Sequence, residues 1–168
     1  MTAIRFDKYP ERTPLILSLA QGEAQCLNHK YLGSEHILLA LIKEEEETAA
    51  RILIDLGVSL PKLRSAVEYV VGCGKKNDSP NMILTRGAER VIELGIDEAR
   101  QMGHDYIDSE HVLLALLRES DDVAAGVLDA FGVTLEKARI EVTSLHPPRE
   151  GQKGTQSSPV SKQKNDNQ

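Results

Sequence analysis

Tyr31-Leu32-Gly33-Ser34-Glu35-His36-Ile37-Leu38-Leu39-Ala40-Leu41-Ile42-Lys43-Glu44 decides the reading of this chain, because it occurs twice. Seventy-five residues on stands Tyr106-Ile107-Asp108-Ser109-Glu110-His111-Val112-Leu113-Leu114-Ala115-Leu116-Leu117-Arg118-Glu119, with the same polar triplet and the same apolar run. From Ile16 to Ser65, 21 of 50 positions match their partners 75 residues later. Shared helical composition does not produce that much identity, so the chain is an internal duplication.

Around this motif the apolar residues recur with helical spacing. The first helix is expected over 13–28, with Thr13 as its cap and Pro14 in its first turn. Ser34 is the expected N-cap of the second helix and Glu35 lies in its first turn, where the helix dipole favours a negative charge. Ile37 to Ile42 are apolar almost all round, which places this helix in the centre of a core. A third helix over 48–56 stops at Gly57, in the position of a C′ glycine. A fourth, capped by Ser59, runs from Leu60 to Val71. The second copy repeats the set over 85–102, 109–119, 122–131 and 134–145, with Gly132 and Thr134 answering Gly57 and Ser59.

The organisation expected is a lead-in (1–12), a first repeat (13–72), a turn-rich linker (73–84), a second repeat (85–146) and a disordered polar tail (147–168), the two repeats forming one domain. The fold class is all-α, with about eight helices as two four-helix units related by a pseudo-two-fold axis. An aromatic content of 4%, with no Trp, suits a core of Leu, Ile, Val and Ala packed helix on helix.

The formal charge of −6 argues against nucleic acid as the principal partner. No apolar stretch approaches the roughly 18 residues that span a bilayer, and the N-terminus lacks a secretory core, so no membrane association and a cytoplasmic location are expected. Cys26 and Cys73 occupy non-equivalent positions without CxxC spacing and read as free thiols.

The doubled Gly/Asp-Ser-Glu-His-Ile/Val-Leu-Leu-Ala-Leu pattern, each copy preceded by His-x-Tyr and followed by Ala-Ala and Leu/Phe-Gly-Val, resembles the Clp N-terminal (Clp R) repeat domain of the ClpA, ClpB and ClpC unfoldases, closest to the ClpC type. The resemblance covers about Tyr9 to Leu145. It implies a non-catalytic module that receives substrates or adaptor proteins, with the Clp unfoldase, the Clp protease core, and adaptors or substrates as partners. The 168 residues contain no Gly-x-x-x-x-Gly-Lys-Ser/Thr phosphate loop. A complete chain of this kind would be a stand-alone Clp N-domain protein without the motor. The alternative reading is an accessory subunit that docks on the protease core and regulates its assembly.

Two readings of Glu35 and Glu110 stand side by side. Each carboxylate caps its own helix, or, as the ClpC resemblance implies, each receives the guanidinium of a phosphoarginine mark on a substrate. A carboxylate suits a guanidinium through charge-assisted bonds, and helix-start N–H groups suit a phosphoryl group. The family places a Thr ahead of the first helix of each repeat. The second repeat keeps it at Thr85, whereas the first has Pro10 there and Thr13 three residues on. Glu110 with Thr85 is therefore the expected ligand site, with Glu35 second. His29, His36, His104 and His111 recur in register, but their spacing is not that of a zinc site, and the expected role is to fix the loop ahead of the second helix. Ser34-Glu35-His36 cannot act as a catalytic relay, since adjacent helical residues point about 100° apart. No cofactor, metal or enzymatic activity is expected. Glu44 to Glu47 and the stretch from Glu119 to Asp122 read as solvated turns.

Overall fold

The computed structural model describes residues 12–75, 82–104 and 106–145. Within them lie eight helices: α1 (Arg12–Cys26), α2 (Ser34–Lys43), α3 (Thr48–Asp55), α4 (Leu60–Val71), α5 (Arg86–Gln101), α6 (Ser109–Arg118), α7 (Val123–Ala130) and α8 (Leu135–Leu145). Two short strands, β1 (Tyr31–Leu32) and β2 (Ile83–Leu84), complete the described elements. All but the last residue of the expected lead-in, the whole of the polar tail and part of the linker lie outside the described residues.

The repeated apolar run is the centre of the molecule. In α2 every residue from Ser34 to Ile42 is buried, and in α6 every residue from Ser109 to Leu117. The two helices pack on each other, α1 covers α2, and α5 covers α6. The third helices bridge the repeats, each packing on the second helix of its own repeat as well. α3 packs on α6 and α8 of the other repeat, and α7 packs on α2 and α4. The two four-helix units are therefore interleaved around one core rather than set side by side.

Helix ends follow the expected chemistry with two departures. Gly57 and Gly132 end α3 and α7 with φ of 89° and 77°, a conformation that glycine adopts without strain. Val58 N–H then bonds Leu53 C=O, and Val133 N–H bonds Leu128 C=O, closing the last turn of each helix. Ser59, Thr85 and Thr134 accept bonds from Lys62, Ala88 and Lys137 N–H and start α4, α5 and α8. Thr13, expected ahead of the first helix, lies within α1, which is described from Arg12, and Pro14 falls near its start.

The second departure is Ser34. Gly33, not Ser34, is the N-cap of α2. The Ser34 hydroxyl instead accepts a bond from Ala124 N–H, at 3.4 Å, in the first turn of α7. Ser109 does the same for Ala49 N–H in α3, at 3.0 Å. Each serine thus caps the third helix of the other repeat, a long-range contact that local sequence does not announce. Glu47, the cap residue of α3, makes no side-chain capping bond, so Ser109 supplies this one from outside. Ser109→Ala orphans a buried N–H and is expected to lower the unfolding free energy by about 1–2 kcal/mol, read from urea unfolding followed by circular dichroism.

The strands were not expected. β1 falls in the loop ahead of α2 and β2 in the linker, and they pair in parallel with Leu32 opposite Leu84. Two-residue strands are too short to show an alternating pattern. Their effect is to seat Thr85 against the first repeat: Thr85 N–H bonds Leu32 C=O at 3.0 Å.

Candidate functional site

Glu35 and Glu110 sit at the starts of α2 and α6, and both are buried, 5% and 2% exposed. The Glu35 carboxylate turns back over Gly33: a Cβ at that glycine would stand 2.6 Å from Oε1. It takes a bond from its own backbone N–H and another from the Tyr31 hydroxyl. Burial raises its pKa above the usual glutamate value, and the nearby Asp122 carboxylate raises it further. In the second repeat Asp108 occupies the Gly33 position, and its carboxylate accepts from Ser109 N–H at 2.7 Å. Asp108 has the Cβ that Gly33 lacks, so Glu110 cannot take the same pose. The two copies of the motif are chemically unequal.

Thr85 does not join Glu110. The start of α6 lies abreast of Gly95, whose added Cβ would be 3.8 Å from His111 C=O. Gly95 is ten residues beyond Thr85, about 15 Å along α5. Through the β1–β2 ladder Thr85 borders Leu32 and Gly33, on the Glu35 side. The strand pairing crosses between repeats and sets the Thr85 backbone beside the Glu35 motif rather than beside that of Glu110.

Asp122 completes this corner. Its carboxylate fills the space beside Gly87, where a Cβ would collide with Oδ2, and it accepts from Val123 N–H at 2.8 Å. A cleft of about 490 Å³ opens beside it, lined by Arg86, Gly87, Arg90, Glu119, Asp121 and Asp122. Arg90 reaches Glu119 at 3.5 Å across it. The corner thus gathers a buried carboxylate, a capped helix start and two arginines, with Asp122 as an internal anion among them.

The histidines form hydrogen-bonded relays. Gly33 N–H donates to His36 Nδ1 at 2.9 Å, so His36 carries its proton on Nε2 and donates to His29 Nδ1 at 2.7 Å. His29 Nε2 in turn donates to Gly72 C=O at 3.0 Å. Tyr31 stacks on His29 with ring centroids 5.1 Å apart. Burial, with some help from His29, lowers the His36 pKa to about 4. The second repeat repeats the contacts of His111 with Asp108 N–H and His104, both at 2.9 Å. These bonds fix the loop ahead of α2 and α6. Among the described residues no three His, Cys, Asp or Glu side chains converge as metal ligands. Neither serine touches a histidine in a relay, since each hydroxyl is engaged on the opposite repeat.

One pair of sites escaped the sequence reading. Glu23 accepts from Arg64 at 2.9 and 3.2 Å, and Glu98, 75 residues later, accepts from Arg139 at 2.9 and 3.0 Å and from Arg118 at 3.0 Å. Burial alone would raise the Glu23 pKa, but Arg64 and Lys43 outweigh it and hold the carboxyl below its ordinary value. The identity of Glu23 with Glu98 and Arg64 with Arg139 at one offset was the available signal.

Compared with known proteins, the family model for the Clp repeat (R) N-terminal domain matches residues 8–131 and 84–165. The chain is 44% identical over 151 residues to the chaperone protein ClpB of Oceanobacillus iheyensis, covering 90% of this chain. It is 46% identical over 140 residues to the negative regulator of genetic competence ClpC/MecB of Bacillus subtilis, covering 83%. It spans only 18% and 17% of those two proteins' lengths. Among solved structures, the N-terminal domain of ClpD from Arabidopsis thaliana superposes with a TM-score of 0.65 at 26% identity, over 84% of this chain and 99% of that one. The Hsp104 N-terminal domain from Candida albicans gives 0.69 at 17%, over 84% and 93%. A ClpV N-domain, in complex with a VipB peptide, gives 0.60 at 15%, over 85% and 92%. The doubled motif, the interleaved helices and these matches agree: the chain belongs to the Clp repeat (R) N-terminal domain family.

Proposed function

We propose that this chain is a non-catalytic binding module that captures substrate or adaptor segments in Clp-dependent protein quality control. Its best-formed ligand corner is the one shared by Glu35 and the start of α5. The observation that carries this reading is the placement of Thr85 against the Glu35 motif by the strand pairing between repeats. Glu35 offers a carboxylate to a guanidinium, and the capped start of α5, with Arg86 and Arg90 beside it, offers N–H groups and positive charge to a phosphoryl group. Phosphoarginine carries both groups. The peptide held by the ClpV N-domain supports the same general use of the fold. Glu110 is the counterpart carboxylate, and the altered entry at Asp108 makes it the weaker receptor.

Asp122 modifies the reading. Its carboxylate stands where the phosphoryl group would approach α5, so the like charge must be displaced or neutralised on binding. Calorimetry with phosphoarginine and a phosphoarginine-bearing protein tests the proposal. Glu35→Ala is expected to abolish measurable binding, Glu110→Ala to weaken it less, and Asp122→Asn to tighten it by about tenfold. Absence of binding at millimolar ligand to both wild type and Asp122→Asn removes the phosphoarginine reading. Because a guanidinium needs the ionised Glu35, affinity should decline with acidification and begin to do so at a higher pH than an ordinary glutamate would set.

A further inference from the structure

The two cysteines, non-equivalent in the repeat and 47 residues apart in sequence, are carried by backbone segments that touch. Gly74 N–H donates to Leu27 C=O at 2.8 Å, so the residue after Cys73 is bonded to the residue after Cys26. A Cβ at Gly74 would stand 2.3 Å from Asn28 C=O, which leaves no room for a side chain between the two segments. His29 closes the same corner by donating to Gly72 C=O. Both thiols are free and both are exposed. Through the Gly74–Leu27 bond, standard backbone dimensions put the two Cα atoms at most about 11 Å apart. A disulfide spans roughly 5.5–6 Å between Cα atoms, so a shift of a few ångströms suffices. Glycines stand on either side of Cys73, and Gly72 already has a φ of 64°. Without a Cβ, these glycines allow the backbone torsions that such a shift requires.

We infer that Cys26 and Cys73 are a redox modification site that forms a reversible intramolecular disulfide when the chain meets a peroxide. In the first step one thiolate attacks a peroxide oxygen, the O–O bond breaks, and a sulfenic acid forms with release of water after protonation. In the second, the other sulfur attacks the sulfenic sulfur, the S–O bond breaks, and a second water leaves. Two thiols are oxidised to one disulfide and one hydrogen peroxide is reduced to two waters. A dithiol reductant reverses the change by thiol–disulfide exchange. The bond would pin the exit of α4 to the end of α1, on the connector that leads to β2 and Thr85.

The test treats the reduced full chain with hydrogen peroxide and follows thiols and mass. The expected result is loss of both titratable thiols in a monomer lighter by about two mass units, with the Cys26 and Cys73 peptides joined, and full recovery with dithiothreitol. Cys26→Ser and Cys73→Ser change exposed positions and should keep the helical circular dichroism spectrum. Each is expected to lose the lighter product and accumulate oxygen on the remaining cysteine. The inference is overturned if wild type gains only oxygen atoms, or if its disulfides link two chains while the monomer stays reduced.

Discussion

Arg139→Met is expected to lower the unfolding free energy by about 3 kcal/mol. Arg139 is 42% exposed, yet it supplies two of the three bonds to Glu98, whose side chain is 1% exposed. Removing it leaves a buried carboxylate with Arg118 alone at 3.0 Å. The loss comes from the stranded charge rather than from the arginine's own packing. Glu98→Gln in the same chain should therefore recover part of it, because a neutral amide no longer needs a cation. Arg64→Met removes the corresponding partner of Glu23 and should have a smaller effect, since Glu23 is slightly more open to water than Glu98. Urea unfolding by circular dichroism on the two singles and the double variant gives the coupling. Equal losses for Arg139→Met with and without Glu98→Gln would show that the charge is not what matters.

The same ion pairs show what the sequence made legible. Duplication announced the fold because an apolar run that recurs in register can only be a repeated buried helix. The ends of α3, α4 and α7 could be placed to within a residue or so from capping residues and the glycines at 57 and 132. Glu23 and Glu98 were equally visible as repeated charges on otherwise apolar faces, but a charge in a helix pattern ordinarily reads as a solvated position. What was hidden is everything that passes between repeats. Ser34 has the right chemistry for a cap and serves as one, but for α7. Thr85 has the chemistry of a helix start that could hold an anion, and its backbone borders the Glu35 motif rather than that of Glu110. Chain order suggests partners within a repeat, whereas the bridging positions of α3 and α7 and the Leu32–Leu84 pairing make partners across it as well. No local periodicity encodes that choice.

Acidification from pH 6.5 to about 4 is expected to remove about 3 kcal/mol of stability through His36 alone. Burial holds its folded pKa at about 4, below the unfolded value of 6.5, so the unfolded chain takes the proton first. The contribution is therefore complete above the unfolded pKa and lost as pH falls through this window. Geometry gives the reason. His36 Nδ1 accepts from Gly33 N–H and Nε2 donates to His29, so the ring has no vacant site for a second proton. Protonation must break the Gly33 bond, turn a donor toward a donor, and place a charge in a site that is 0% exposed. Of the neighbours, Glu23 works with His36, because its lowered pKa also makes stability fall in acid. Glu35 works against it, because a raised carboxyl pKa favours the fold at low pH. Comparing wild type with His36→Asn, which keeps an acceptor near Gly33 N–H, isolates the histidine. The slope of unfolding free energy against pH should drop by up to one proton, about 1.4 kcal/mol per pH unit, in the variant. In native-state NMR the His36 ring should stay neutral at pH 5.5, where a free imidazole is mostly charged. A ring that titrates near 6.5, or an unchanged slope in His36→Asn, would mean that the relay opens to water and does not hold the start of α2.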